Sequence, residues 1–408
     1  MKKTAKLFFG GMCVFLGLAA SAQLPGTFNT SFGSNGFETF NLLNKDQYGR
    51  AIAVQADGKV LIGGMHEHTA GKFDWLIYRT DANGQLDNTF SGDGKYAESF
   101  SDEDRLLGIA MQSTGKILIT GYSEIGPGNW DIVVHRLNAN GTLDNTFGNS
   151  GTVMLDRSFG AADAVTKIIV DQNDKIYLGG FMQILDDTYI LVHRLLPNGD
   201  PDSTFSLDGD VFQNLNSQAQ ILDMALGTDG SVALCGGIDE NGINKMLVAK
   251  ITSNGLFDNS FAGDGIKIFT PGLNAEGALQ GVTILPDNTV VAVGAKFGGN
   301  TDAIIVQLNS SGLLDGNFNG NGMMVYDLSI GGIDYFEKIE LLANGKYIVL
   351  ARTKLNNIHT GILYQLDEDG QIDNVNYGSG TGKLSLDFSA GSDFVAAMAT
   401  NNNYVYTV

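Results

Sequence analysis

The sequence predicts an all-β fold, a β-propeller, from three observations. An eleven-residue motif, seen as Gly141–Gly151, recurs with its aromatic residue 56 to 59 positions from the next copy, a period typical of stacked repeats. Short β-branched and aromatic runs alternate with Gly/Asn/Asp turns. The 54 Gly suit many tight turns, and helical periodicity is absent beyond the first two dozen residues. The motif's aromatic residues are Phe32, Phe90, Phe147, Phe205, Phe261, Phe318 and Tyr377.

An acidic residue precedes the aromatic residue in most copies of the motif. A residue needed once for catalysis would not be required in every repeat, so we expect a scaffold role for both. The Asp should accept hydrogen bonds from nearby backbone N–H groups, and the aromatic ring should fill the gap between neighbouring blades. The aspartates are Asp87, Asp144, Asp202, Asp258 and Asp315, with Asp373 before Tyr377 and Asn29 in the first copy.

Each repeat contains four predicted strands, which together describe one propeller blade. In the repeat that begins at Gly151 the strands are 151–156, 164–171, 175–180 and 189–195. The second and third are joined by a two-residue turn, Asn173-Asp174, whose residue types tolerate positive φ. On this interpretation the motif is the crossover from the outer strand of one blade to the inner strand of the next.

Counting the strands predicts seven blades. The third strand of the repeat occurs seven times and the fourth only six times, because the last third strand ends at Val408. We therefore expect a single propeller over residues 23–408, with seven blades of four antiparallel strands and an incomplete last blade. Six blades, eight blades or an open ring in a fragment remain alternatives.

The N-terminus predicts a secretory signal peptide over residues 1–22. Three Lys in the first six residues precede an apolar run, Leu7–Leu18, and the small residues Ala20-Ser21-Ala22 follow it. The run is shorter than the roughly 20 residues that span a bilayer, and no later stretch is long enough. We expect no transmembrane segment and a secreted, cell-surface or periplasmic protein.

Charge and cysteine content narrow the function further. The chain has 25 basic and 45 acidic residues; losing three Lys with the signal peptide leaves 22 − 45 = −23. An acidic surface argues against nucleic acid and anionic membranes as partners and is compatible with Ca²⁺ or a cationic partner. Cys235 is alone in the mature chain and is expected to be a small buried hydrophobe.

The repeats resemble the delta-60 repeat family of exported bacterial proteins. The resemblance rests on the L-D-x-S/T-F-G/S-x-x-G motif and on the D-G-K-hydrophobic-G-G hairpin, and it covers residues 27–408. It implies a β-propeller of a family whose members mostly lack an assigned activity. The N-terminal segment ending Ser21-Ala22-Gln23 is similar to those of exported Bacteroidota proteins.

Two segments have residues that can bind metals. Asp367–Asp373 resembles part of a calcium loop but lacks the third spaced ligand and the bidentate Glu of an EF-hand; a turn explains it better, and Ca²⁺ remains compatible. His66 and His68 are two residues apart, as a metal pair in a strand could be. No third ligand is identifiable, so adventitious binding is the better interpretation. No other cofactor is expected.

The loops predict where binding takes place. In an up-and-down blade the motif and the second-to-third turn share one face, where the repeats agree. The longer, variable loops share the other, the usual place for a repeat protein's binding surface.

No hydrolase, zinc-protease or nucleotide-binding motif is present. We therefore expect a non-enzymatic scaffold that binds a protein or glycan; a polysaccharide hydrolase or lyase with acids from several blades is the alternative, and a purely structural surface repeat a third. Aromatic residues in the variable loops could anchor the ligand: Phe73, Trp75, Trp130, Phe181 and Phe297.

Overall fold

The computed structural model is a ring of seven β-sheet blades. It describes residues 26–40, 47–101, 103–157, 162–184, 187–387, 393–401 and 404–408, together with the strand formed by residues 13–19. Within these ranges the only helical element is a 3₁₀ turn, Gly378–Gly380, and no helix is long and apolar enough to cross a membrane. The all-β prediction is confirmed.

The strands have the following bounds, in chain order. The two N-terminal strands are β1 (Cys13–Ala19) and β2 (Phe37–Phe40). Blade 1 comprises β3 (Gln47–Val54), β4 (Val60–Thr69), β5 (Lys72–Thr80) and β6 (Lys95–Glu98). Blade 2 comprises β7 (Asp104–Met111), β8 (Ile117–Gly126), β9 (Asn129–Leu137) and β10 (Thr152–Leu155). Blade 3 comprises β11 (Ala162–Val170), β12 (Ile176–Ile184), β13 (Asp187–Leu195) and β14 (Asp210–Asn214). Blade 4 comprises β15 (Ala219–Leu226), β16 (Val232–Glu240), β17 (Ile243–Ile251) and β18 (Ile266–Phe269). Blade 5 comprises β19 (Glu276–Ile284), β20 (Val290–Phe297), β21 (Asp302–Leu308) and β22 (Met323–Tyr326). Blade 6 comprises β23 (Ile333–Leu341), β24 (Tyr347–Leu355), β25 (Ile358–Leu366) and β26 (Lys383–Leu386), and the chain ends with β27 (Met398–Thr400) and β28 (Tyr404–Thr407).

The seventh blade is built from both ends of the chain. Its sheet order is β2-β1-β28-β27, so the C-terminal strands are innermost and the N-terminal strands complete the sheet. The seven-blade prediction is confirmed. In the full chain β1 takes the position for which sequence counting found no strand, so the seventh sheet has four strands, whereas residues 23–408 alone lack that strand. β1 lies within the predicted signal peptide, so cleavage after Ala22 would remove it. Residues 1–12 and 20–22 of that peptide lie outside the described part of the chain.

The boundary between blades differs from the sequence prediction. The sequence predicts that the strand 151–156 belongs to the same blade as the strand that follows it. In the structure this segment is β10, which pairs antiparallel with the preceding strand, β9. The motif therefore joins the third and fourth strands of one blade. The connection to the inner strand of the next blade runs on the opposite face, and in blade 2 it begins after Leu155. Periodicity fixes the length of a repeat but not the point at which one blade ends, which explains the error.

The antiparallel strand order gives the ring two different faces. The turns between the first and second strands and the motif lie on one face, here called the repeat face. The loops between the second and third strands and the connections between blades lie on the other, here called the variable face. Between the blades, apolar side chains pack in buried layers; Leu61 and Ile77 of blade 1, for example, pack against Leu106 and Ile119 of blade 2.

The innermost strand of each of blades 1 to 6 has a register shift at the same place. In β7 the shift lies between Leu106 and Gly108, so one extra residue bulges from the strand. Gly121 on the neighbouring strand permits the bulge, because a Cβ there would overlap the carbonyl oxygen of Arg105. The extra residues are Arg50, Leu107, Thr166, Leu222, Gln280 and Glu337.

Candidate functional site

The repeated Asp lies in a dense hydrogen-bond network on the repeat face. Asp144 accepts hydrogen bonds from the backbone N–H and hydroxyl of Thr146, at 3.2 and 2.7 Å. Its other oxygen contacts Arg136 at 2.8 Å and Lys116 at 2.9 Å. Burial opposes ionisation of Asp144, but Lys116, Thr146 and Arg136 together lower its pKa. Asp87 and Asp202 have equivalent partners.

The motif's aromatic residue connects each blade to the next. Phe147 is fully buried, and its ring lies 2.9 Å from where a Cβ on Gly199 would stand. Gly199 has φ +94°, which favours glycine. The N–H of Gly148 donates to the carbonyl oxygen of Asn198 at 2.9 Å. The ring closes the same way, because Tyr377 lies against Gly26. The repeat face is therefore used largely for contacts between blades.

Sequence reasoning missed the arginine that completes this network in blades 1 to 3. The guanidinium of Arg136 lies 4.7 Å from the centre of the Phe147 ring and also donates to the carbonyl oxygen of Pro197 in the next blade. Arg79 and Arg194 make the same contacts. Their recurrence eight residues before Asp87, Asp144 and Asp202 was the available signal.

The five predicted ligand-binding aromatics have different environments. Trp75 is 0% exposed and packs against Phe100, with ring centroids 4.9 Å apart; its assignment to a binding surface is wrong because the next blade covers it. Phe181 and Phe297 are half-buried and lie in blades 3 and 5, so the structure does not bring them to the other rings.

Phe73 and Trp130 belong to one group at the variable-face ends of blades 1 and 2. Phe73 packs edge to face against Tyr48, with ring centroids 5.5 Å apart, and the Arg105 guanidinium lies 5.2 Å from the Phe73 ring centre. Trp130 packs edge to face against Tyr122 at 5.0 Å. Arg105 is paired with Tyr122 across β7 and β8, which connects the two ring pairs. With Arg50 these residues form what we call the arginine–aromatic cluster: Tyr48, Arg50, Phe73, Arg105, Tyr122 and Trp130.

The cluster has an unusual charge environment. Partial desolvation by the neighbouring groups, followed by the positive charge of Arg105, lowers the pKa of Arg50, although the residue as a whole remains exposed to solvent. Arg105 contacts Glu103 at 2.7 Å, and Glu103 also accepts a hydrogen bond from the N–H of Phe73 at 3.1 Å. Burial raises the pKa of Tyr122, so the phenol remains neutral and able to donate a hydrogen bond. The cluster thus combines two guanidinium groups and four aromatic rings, with the Glu103 carboxylate beside it.

Asp131, next to Trp130 in β9, is the carboxyl group of this region with a raised pKa. Burial is the main cause, and the negative charges of Asp156 and Asp163 add to it. A carboxyl group whose pKa is raised near other carboxylates can act as a general acid. Asp131 is only 8% exposed, however, so a substrate has little access to it.

The residues considered for metal binding have other contacts. His68 contacts Asp74 at 3.2 Å, and His66 contacts the carbonyl oxygen of Glu67. Asp367 accepts hydrogen bonds from the N–H groups of Asp369 and Gln371, as in a turn. Among the residues that the structure describes, no group of three or more His, Cys, Asp or Glu could hold a metal ion. Calcium binding remains an untested prediction.

Cys235 lies on β16 in the interior of blade 4 and is fully buried. Burial raises the pKa of its thiol well above the ordinary value. The thiol is therefore neutral and unreactive at neutral pH, as expected for a small hydrophobe in the core.

Comparison with known proteins supports a β-propeller repeat family. Residues 55–90, 112–147 and 285–318 match the family described as "Domain of unknown function (DUF5122) beta-propeller"; each match runs from an inner hairpin turn to the aromatic residue of the motif. A search of curated proteins found no match.

Solved structures show the fold. The polysaccharide lyase Uly1 is similar with a TM-score of 0.50 and 10% identity, covering 97% of both chains. A PL25 ulvan lyase bound to a GlcA–Rha3S oligosaccharide has a TM-score of 0.46 and 10% identity over 88% of this chain and 85% of that chain. Sqt1 from Chaetomium thermophilum has a TM-score of 0.44 and 12% identity over 89% and 95%. At these identities the likeness concerns the fold alone.

Proposed function

We propose that this chain is an exported, non-enzymatic β-propeller that binds a glycan through the arginine–aromatic cluster on its variable face. The observation that carries the proposal is the continuous row from Trp130 through Tyr122 and Arg105 to Phe73 and Tyr48. Partly exposed rings can stack on sugar rings, and the neighbouring polar groups can hydrogen-bond to hydroxyls. The basic and apolar N-terminus and the delta-60 resemblance support export.

A glycan suits the cluster better than a protein partner. The rings form an open row interrupted by charged groups, whereas protein hot spots are usually buried in well-packed apolar pockets. Much of the repeat face is used for contacts between neighbouring blades, whereas the row of aromatic rings lies on the variable face. A protein partner remains the alternative that the experiment tests.

The test begins with a glycan array for the wild-type protein and continues by calorimetry with the best glycan. We expect Trp130→Ala and Phe73→Ala each to weaken binding by at least about tenfold, because each removes a stacking ring. Phe297→Ala is the matched control, since it removes the same type of ring from blade 5 and should leave the affinity unchanged. Equal effects of Phe73→Ala and Phe297→Ala would refute the assignment to the cluster. Capture of an envelope protein that depends on Trp130, together with a blank array, would instead refute the glycan as the ligand of the cluster.

A polysaccharide hydrolase or lyase is the second candidate, favoured by the raised pKa of Asp131 in β9. The low exposure of Asp131 argues against it. Incubating the wild-type protein with the bound glycan distinguishes the two functions. A binding protein leaves the chain length of the glycan unchanged, whereas new reducing ends or the ultraviolet absorbance of a new C=C bond would identify an enzyme.

A further inference from the structure

The starting observation is a pair of arginines on neighbouring inner strands. Arg50 is the extra residue of the β3 bulge and is exposed. Tyr48, two residues before Arg50 in β3, packs against Phe73, and the Arg105 guanidinium lies 5.2 Å from the centre of the Phe73 ring. Both arginines therefore border the same pair of rings, and the charge of Arg105 helps to lower the pKa of Arg50. Within the described ranges, the structure gives Arg50 no hydrogen bond or ion pair. Like charges brought together in this way favour an anion between or beside them.

By contrast, three other cationic side chains on or beside the inner strands each contact a carboxylate. Lys167 of blade 3 and Lys338 of blade 6 both contact Asp223 of blade 4, at 3.4 and 3.6 Å. Arg352 contacts Glu337 at 2.7 Å. In the cluster, Glu103 balances Arg105 and leaves the charge of Arg50 uncompensated by these groups. The uncompensated positive charge of Arg50 is therefore located beside the row of aromatic rings.

We infer that the arginine–aromatic cluster binds an anionic substituent, a carboxylate or a sulfate group, so that the ligand is an acidic polysaccharide. The inference rests on the proposed function and specifies its ligand class. A guanidinium offers a planar fork of N–H donors that matches either anion, while the rings hold the sugar to which the anion is attached. The chain's net charge of −20 repels such a polymer at long range, so binding needs this local positive site.

Binding is measured with three soluble polysaccharides of similar length: a uronate polymer, a sulfated neutral polymer and an unsubstituted neutral glucan. We expect the wild type to bind at least one anionic polymer more tightly than the glucan, and the tighter of the two identifies the anion. Arg50→Gln should weaken that binding by roughly tenfold or more and weaken glucan binding much less. Arg352→Gln is the matched control, because it removes an arginine that is already paired with Glu337 and should have no effect.

A second measurement separates failure of this inference from failure of the proposed function. Inorganic sulfate should raise the melting temperature of the wild type more than that of Arg50→Gln, whether or not any glycan binds. If glycan binding depends on Trp130 but is unaffected by Arg50→Gln, and sulfate stabilises both proteins equally, the anion site is refuted and glycan binding stands. If no glycan binds but sulfate selectively stabilises the wild type, the glycan function is refuted and the anion site stands. Equal stabilisation with no glycan binding refutes both.

Discussion

The Asp of the repeat motif has different partners in different blades. Asp87 contacts Arg79 at 2.9 Å and Lys59 at 3.2 Å, and it accepts a hydrogen bond from the Thr89 hydroxyl at 2.6 Å. Asp315 is half-buried; its side-chain partner is the neutral Gln307, at 3.2 Å. The motif Asp can therefore be compared between blade 1, where its partners are cationic, and blade 5, where its side-chain partner is uncharged.

Asp87→Ala is expected to destabilise the protein by about 3 kcal/mol, because it leaves the buried Arg79 without its carboxylate. Asp315→Ala is the control and should cost less, about 1.5 kcal/mol, because its partner Gln307 is uncharged and its loss leaves no buried charge unpaired. Free energies of unfolding from chemical denaturation at pH 7 test both values. Equal losses at the two positions would show that the ionic partners contribute nothing beyond the loop hydrogen bonds.

The contribution of Asp87 should also depend on pH. Burial opposes its ionisation, but the hydrogen bonds from Thr89 and Lys59 and the charge of Arg79 outweigh burial and lower its pKa to about 2. A group whose folded-state pKa is lowered contributes stability above its unfolded pKa of about 3.9 and loses it as the pH falls towards the folded value. The stability difference between the wild type and Asp87→Ala should therefore be constant above about pH 5 and narrow by about 2 kcal/mol towards pH 2. A difference that widened on acidification would contradict the sign of the shift.

Single residues show what the sequence could and could not reveal. The repeat motif could be found because it recurs, and its buried aromatic residue follows from that recurrence. Phe73 and Trp75 are two residues apart in β5 and look alike in the sequence, yet Phe100 of the following segment covers only Trp75. Arg50 carries no sequence signal, because its position depends on a bulge and on a neighbouring blade.

In blades 1 to 5 the residue of the second strand that faces the inner-strand bulge is a glycine. Gly121 faces the carbonyl oxygen of Arg105, and a Cβ there would overlap it. The equivalent register position in blade 6 is Ala351, opposite Phe336, so a methyl group is accommodated there. The glycine at this position of the repeated hairpin is therefore explained by the bulge opposite it. In blade 2 the same glycine allows the backbone of Arg105 to approach.

Gly121→Ala should destabilise the protein by about 2 kcal/mol, because the bulge must shift to make room for the methyl group. The same shift should move Arg105 and weaken glycan binding. Gly316→Ala is the control, since no atom lies within 4 Å of a Cβ at that exposed position. Denaturant unfolding and calorimetry on both variants test the prediction. A Gly121→Ala protein as stable as Gly316→Ala would mean that the glycine is not needed for the bulge.

At the scale of the whole molecule, two features close the ring. On the repeat face Tyr377 lies against Gly26, the seventh contact of a type that joins the other blades. In the seventh sheet β1 lies between β28 and β2, with Leu16 paired to Thr407 and Ala19 to Tyr404. Cleavage after Ala22 would leave the contact between Tyr377 and Gly26 in place but would remove β1 and its pairing with β28. The sequence could predict seven blades but not this sharing of one sheet by both chain ends, since the pairing joins residues almost a full chain length apart.

Removing residues 1–22 is therefore expected to loosen one blade and leave the ring folded. The amides of Tyr404–Thr407 should exchange with deuterium faster in the 23–408 protein than in the full chain, because their β1 partners are lost and an exposed strand edge opens more readily. Blades 3 and 4 serve as the internal control and should exchange at the same rate in both proteins, since their packed layers do not contact the N-terminal strands. Unchanged protection of Tyr404–Thr407 would show that β1 is not the strand that completes the seventh blade. Loss of protection throughout blades 3 and 4 would show instead that the Tyr377–Gly26 contact cannot hold the ring closed by itself.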